Sequence, residues 1–114
     1  MTPFSEDFSM VHYISLYKLQ DGISDEELDE MIRAARSQLL KIPEVHQIRT
    51  GRNVGESPEW PFFLAIDFES LDKMEMYRDD PIFSKFDAEI IKTRTTENME
   101  LMFETDPGKD TKYS

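Results

Sequence analysis

The sequence predicts one α+β domain in the order βαββαβ, a four-stranded antiparallel sheet with its helices on one face. Two runs, Met10 to Leu19 and Phe62 to Glu69, are dense in β-branched and aromatic residues and contain no breaker, as strands are. Behind Ser24 the apolar residues change to helical spacing. A chain of 114 residues with no repeat and no composition shift suits a single domain, and a domain of that size has little core to spare.

The first strand is Val11 to Leu19, closed by Asp21-Gly22. Ser24-Asp-Glu-Glu27 has the form of a capping box, in which the serine hydroxyl accepts the amide three residues on and the glutamate reaches back. Leu28, Met31, Ile32, Ala35, Leu39 and Ile42 then form one apolar stripe, and Pro43 ends the helix. Asp25, Glu26, Glu27, Asp29 and Glu30 gather at its N-terminal end, where the helix dipole favours negative charge, and need no catalytic role.

Val45 to Thr50 is a second strand, and Gly51-Arg-Asn-Val-Gly-Glu-Ser-Pro-Glu59 is a loop by composition. It lacks a phosphate-cradling glycine fingerprint and leads into a strand, so its glycines serve turn geometry. In the third strand Phe62, Leu64, Ile66 and Phe68 share one face, the core face, because side chains alternate with period two. Ser70 caps a short helix carrying Leu71, Met74 and Tyr77, which Asp79-Asp80-Pro81 breaks. Ile82, Phe86 and Ile90 mark a second helical stretch, and Asn98 to Glu104 a last strand. Residues 10–105 are thus the domain, 1–9 an acidic flexible extension unlike a secretory signal, and 106–114 a mobile tail with almost nothing to bury.

A net charge of -11 repels phosphate backbones and anionic membranes, so neither is an expected partner. The same element order occurs in RNA-binding domains, but the third strand lacks their basic, glycine-containing start. No apolar run reaches the roughly 18 residues of a membrane helix. Without cysteine there is no disulfide, thiolate catalysis or cysteine-held metal, and the cytoplasm is the default location.

Helices on one side leave the other face of the sheet bare. On the first strand that face carries either Tyr13 and Tyr17 or Ile14 and Leu16, and either way an uncovered apolar patch marks an interface. A symmetric homodimer joined through the sheet faces covers it most simply.

The stretches Met10-Val-His-Tyr-Ile-Ser-Leu-Tyr-Lys18, Lys41-Ile-Pro-Glu-Val45, Gly51-Arg-Asn53, Leu64-Ala-Ile-Asp-Phe-Glu69 and Tyr77-Arg-Asp-Asp-Pro81, in this order between Met10 and Glu104, resemble the stress-responsive α/β-barrel domain. That family belongs to the dimeric α/β barrels, with a ferredoxin-like fold. The resemblance implies a homodimer and a cavity that in some members binds a small hydrophobic ligand. One plant branch cyclises a polyketide with histidines and a tyrosine and uses no metal or organic cofactor. Its tyrosine matches Tyr77, in the same Tyr-x-x-x-Pro frame. Its histidines fall on Tyr13, Asp80 and Phe83, so the near-neutral base of that reaction is missing.

The expected function is therefore a ligand-binding homodimer. The alternative is a cofactor-independent enzyme (polyketide cyclase, isomerase or monooxygenase-like) acting on a hydrophobic carbonyl compound. Tyr77 and Tyr13 are the candidate catalytic residues, although Tyr77 also fits the buried stripe of its helix. His12, His46, Phe83 and Phe86 are candidates for ligand contact, although the histidines read first as polar sheet residues and the phenylalanines first as core. A metal would need His12 or His46 with Asp67 or Glu100, a set with no ligand spacing to support it, so no metal and no cofactor are expected.

Overall fold

A computed structural model of the chain describes residues 10–56 and 59–105; the expected N-terminal extension and C-terminal tail lie outside the described residues. Strands β1 (Met10–Leu19), β2 (Gln47–Arg52), β3 (Phe62–Phe68) and β4 (Thr95–Thr105) form one antiparallel sheet in the order β2-β3-β1-β4. Helix α1 (Asp25–Leu39) follows β1. Helices α2 (Leu71–Arg78) and α3 (Pro81–Phe86) follow β3, and α3 runs on through a π-helical turn, Asp87–Ile91, and a last helical turn, Lys92–Arg94. This is a ferredoxin-like α+β fold, as the sequence predicts.

Ser24 closes the full capping box with Glu27, and Ser70 caps α2 by accepting the Lys73 amide. Asp80 accepts the Ile82 amide with Pro81 in the first turn, where its missing N–H costs nothing, so the sequence breaker is also the start of α3. Gly22 takes φ +88 in the turn after β1.

The boundaries differ where tertiary pairing overrides local composition. Gly51 and Arg52, read as loop, pair with Phe63 and Phe62 and extend β2. A Cβ on Gly51 would sit 2.9 Å from Phe63 Cε1, so this glycine permits the close approach of two strands. Helix α1 ends at Leu39, short of Pro43, yet Ile42 remains fully buried. Strand β4 starts three residues early because it pairs along nearly all of β1, with a bulge at Lys18/Leu19. The π turn inserts an extra residue into the four-residue spacing of the last helix, so Ile91 is buried after Phe86 while Ile90 is only partly covered.

The core lies between the sheet and the helices. Val11, Tyr13 and Tyr17 from β1 and Phe62, Leu64, Ile66 and Phe68 from β3 meet Leu28, Met31, Ala35 and Leu39 of α1, Met74 and Tyr77 of α2, and Phe86 and Ile91. The register settles the parity left open by the sequence: the tyrosines of β1 face the helices, and His12, Ile14, Leu16 and Lys18 face the open side.

Candidate functional site

A cleft of about 260 Å³ opens beside the edge strand β4, lined chiefly by Tyr13, Tyr17, Phe83, Asp87, Ile91 and Glu100. That volume is near the small end of ligand pockets. The π turn supplies both Asp87 and Ile91 to the wall, and such turns often mark functional sites because the extra residue re-aims side chains.

The Tyr13 hydroxyl donates to Glu100 Oε2 at 2.5 Å, while Glu100 Oε1 faces Arg78 Nη2 at 3.6 Å. The Arg78 guanidinium also lies 5.6 Å from the Tyr13 ring centroid. Burial, reinforced by the hydrogen bond to Glu100, drives the Tyr13 phenol well above its ordinary value, so it stays a protonated donor. Burial likewise pushes Tyr17 up to about 12. Tyr77 is raised by burial and by the neighbouring Tyr13 and Tyr17 phenols.

Tyr77 is almost completely buried, its ring 4.9 Å from that of Phe83, 5.1 Å from Phe68 and 6.4 Å from Tyr13. Its hydroxyl, buried with it, has no hydrogen-bond partner, whereas the fully buried Ser15 hydroxyl lies beside the Tyr13 and Tyr17 phenols and draws both partly back down. An unsatisfied buried hydroxyl is costly. Neither residue reaches the cleft surface; Tyr77 lies one layer behind it, its ring against the lining residue Phe83.

The structure thus brings Tyr13, Tyr77 and Phe83 together and leaves the other candidates elsewhere. Phe86 is fully buried in the core. His12 lies on the open face of the sheet, where its Nδ1–H donates to Asp67 Oδ1 at 2.7 Å and its Nε2 meets the Thr105 hydroxyl. His46 is half exposed just before β2, 3.9 Å from Glu69. Among the described residues no group of three or more His, Asp or Glu is arranged to hold a metal.

Sequence reading did not single out Asp87 as a site residue, nor Glu100 as a partner for Tyr13. The signal for Glu100 is its parity, since it alternates with Met99, Leu101 and Phe103 and must face opposite to them.

The open face presents Ile14, Leu16, Phe63, Met99, Leu101 and Phe103, the last three among the exposed large hydrophobics. Among the described residues no helix is long and apolar enough to cross a membrane.

Several solved structures share the architecture. A dimeric ferredoxin-like protein of unknown function from Bacteroides fragilis matches at TM-score 0.72 and 24% identity, covering 84% of this chain and 96% of that one. The hydroxynitrile lyase of Passiflora edulis matches at TM-score 0.71 and 17% identity, covering 85% and 94%. A cofactor-independent oxygenase from Streptomyces nogalater matches at TM-score 0.69 and 10% identity, covering 90% and 99%. No functionally curated protein is significantly similar in sequence. The model of the stress responsive A/B barrel domain matches residues 11–101, and the chain belongs to that family.

Proposed function

We propose that the protein works as a homodimer joined through its open sheet faces, each protomer holding a small hydrophobic ligand in the cleft beside β4. The observation that carries the dimer is the uncovered apolar face itself: six large apolar side chains on three neighbouring strands, with no helix of the described residues over them. Patches of this kind on a folded chain mark interfaces. The Bacteroides fragilis protein of the same fold is described as dimeric, which supports a second copy as the occupant. The ligand reading rests on the aromatic wall of Tyr13, Tyr17 and Phe83, with the Tyr77 ring, whose hydroxyl is unpaired, packed behind Phe83.

Native mass spectrometry of protein purified from its own host tests both parts at once. A dimer carrying an apolar adduct is the expected result. An empty dimer would remove the ligand, and a monomer would remove the interface.

Cofactor-independent catalysis on a hydrophobic carbonyl compound is the second reading, favoured by one contact, the 2.5 Å hydrogen bond of Tyr13 to Glu100. A carboxylate tied to a neutral phenol and flanked by Arg78 supplies a base and a donor without the histidines of the plant cyclases. Turnover of a ligand identified by the mass measurement, lost in Glu100→Gln with the fold intact, would favour it.

A further inference from the structure

On the three strands β3, β1 and β4 the open face is apolar except at its two ends. At one, Lys18 pairs with Glu97 at 3.7 Å on the exposed rim. At the other, His12, Asp67 and Thr105 from three adjacent strands form a chain of contacts through the imidazole, whose two nitrogens are both engaged. Asp67 is already largely withdrawn from water, its side chain 16% exposed, and His12 is 32% exposed.

We propose that dimer formation is linked to protonation of His12: closing the interface over the His12–Asp67 pair takes up a proton at each imidazole, so the dimer tightens as pH falls. This rests on the homodimer reading given above.

The argument follows from what surrounds the ring. Strand β3 presents Asp67 directly opposite and Glu69 diagonally, the latter exposed and beside His46. Strand β4 presents Phe103 opposite and Thr105 next to it, both uncharged. Strand β2 adds neutral Gln47 across from Asp67, and Arg49 one residue pair further on, across from Ala65. On β1 itself the same-face neighbours are Met10 and Ile14. The helices lie on the opposite side of the sheet.

Among the described residues the charges nearest His12 are therefore acidic; the cations of this face, Arg49 and Lys18, lie two strands away and at the far end of β1. If the imidazole stays neutral, each protomer carries one uncompensated carboxylate into a dry interface, and the two chains already repel each other with net charge -11 apiece. If it is protonated, the pair is neutral, Nδ1–H still donates to Asp67 and Nε2–H donates to Thr105. The dimer then binds protons more tightly than the free protomer, and by linkage protons favour the dimer.

The chain has only two histidines, so an affinity change near neutral pH has few possible sources. The dimer dissociation constant is measured by sedimentation velocity at constant ionic strength for the wild type, His12→Gln, His46→Gln and Asp67→Asn, with circular dichroism to confirm folding. The wild type should weaken at least about tenfold between about pH 6 and about pH 8. His46→Gln should keep that slope, while His12→Gln and Asp67→Asn should each flatten it to within about twofold.

A wild-type dimer with pH-independent affinity would overturn the proton link and leave the dimer standing. A slope that survives His12→Gln and vanishes in His46→Gln would overturn it equally. A monomer at every pH would instead bring down the homodimer reading. If His12→Gln does not fold, the wild-type and Asp67→Asn profiles decide the question.

Discussion

Along β1, Val11, Tyr13, Ser15 and Tyr17 are buried beneath the helices, while His12, Ile14, Leu16 and Lys18 lie partly exposed on the other side. The same alternation runs through β3, where Phe62, Leu64, Ile66 and Phe68 are buried and Phe63, Ala65 and Asp67 are not. One face is completed by the chain's own helices. The other has enough apolar area to need a cover and no segment of the described chain to supply it. A strand with period two serves two environments at once, and the difference separates what makes this protein fold from what it offers the second copy proposed above.

Alkaline titration should break the covered face most severely. Tyr13, Tyr17 and Tyr77 are all raised by burial, Tyr17 to about 12, whereas unfolded phenols titrate near about 10. The fold holds protons that the unfolded chain releases. Its stability is therefore fully present below about pH 10 and lost as pH rises through the folded values, by up to about 1.4 kcal/mol per pH unit for each phenol. Urea denaturation at stepped pH should show the decline, and in a Tyr113→Phe background, which removes the fourth tyrosine, phenolate absorbance should appear only as the chain unfolds. Early ionisation of all three in an intact fold would mean that water reaches the covered face.

Two substitutions sharpen the comparison. Phe68→Ala removes a fully buried ring packed 5.1 Å from Tyr77 and should lower the unfolding free energy by about 3–5 kcal/mol. Leu101→Asp lies on the open face opposite Ile14 and is already 36% exposed. It should leave the dilute protomer's stability within about 0.5 kcal/mol, yet weaken the dimer at least about a hundredfold, about 2.7 kcal/mol. Stability is compared under monomeric conditions, since dimer formation itself stabilises by mass action. Undiminished association of the Leu101→Asp chain would place the interface elsewhere.

The element order and the core of β3 were legible because alternation and helical spacing are local signals. So were both serine caps, which need only residues three apart. The ends of β2 and β4 were not, because Gly51, Arg52 and Thr95 are strand only by virtue of the neighbours they pair with. The site was half legible. Tyr77, Tyr13 and Phe83 were named and do cluster, whereas His12 and Asp67 meet across a 55-residue separation that no spacing rule connects. The parity of β1 was ambiguous in principle, since both sets of alternate residues are large and apolar enough to be core.

Tyr77→Phe carries the smallest expected effect on the fold and the most information about the cleft. The hydroxyl has no partner, so its removal loses no hydrogen bond and should change stability by less than about 0.5 kcal/mol, in the stabilising direction if at all. Tyr13→Phe is the contrast: it frees the partly exposed Glu100 from its phenol and should cost about 1 kcal/mol. A group that is buried at a cost and contributes nothing to packing that phenylalanine would not supply has its use elsewhere. If Tyr77→Phe folds as well as the wild type and loses the adduct seen by native mass spectrometry, the orphaned hydroxyl belongs to the ligand. If it retains the adduct unchanged, Tyr77 is a core residue, and recognition falls to Tyr13 and Glu100 at the cleft wall.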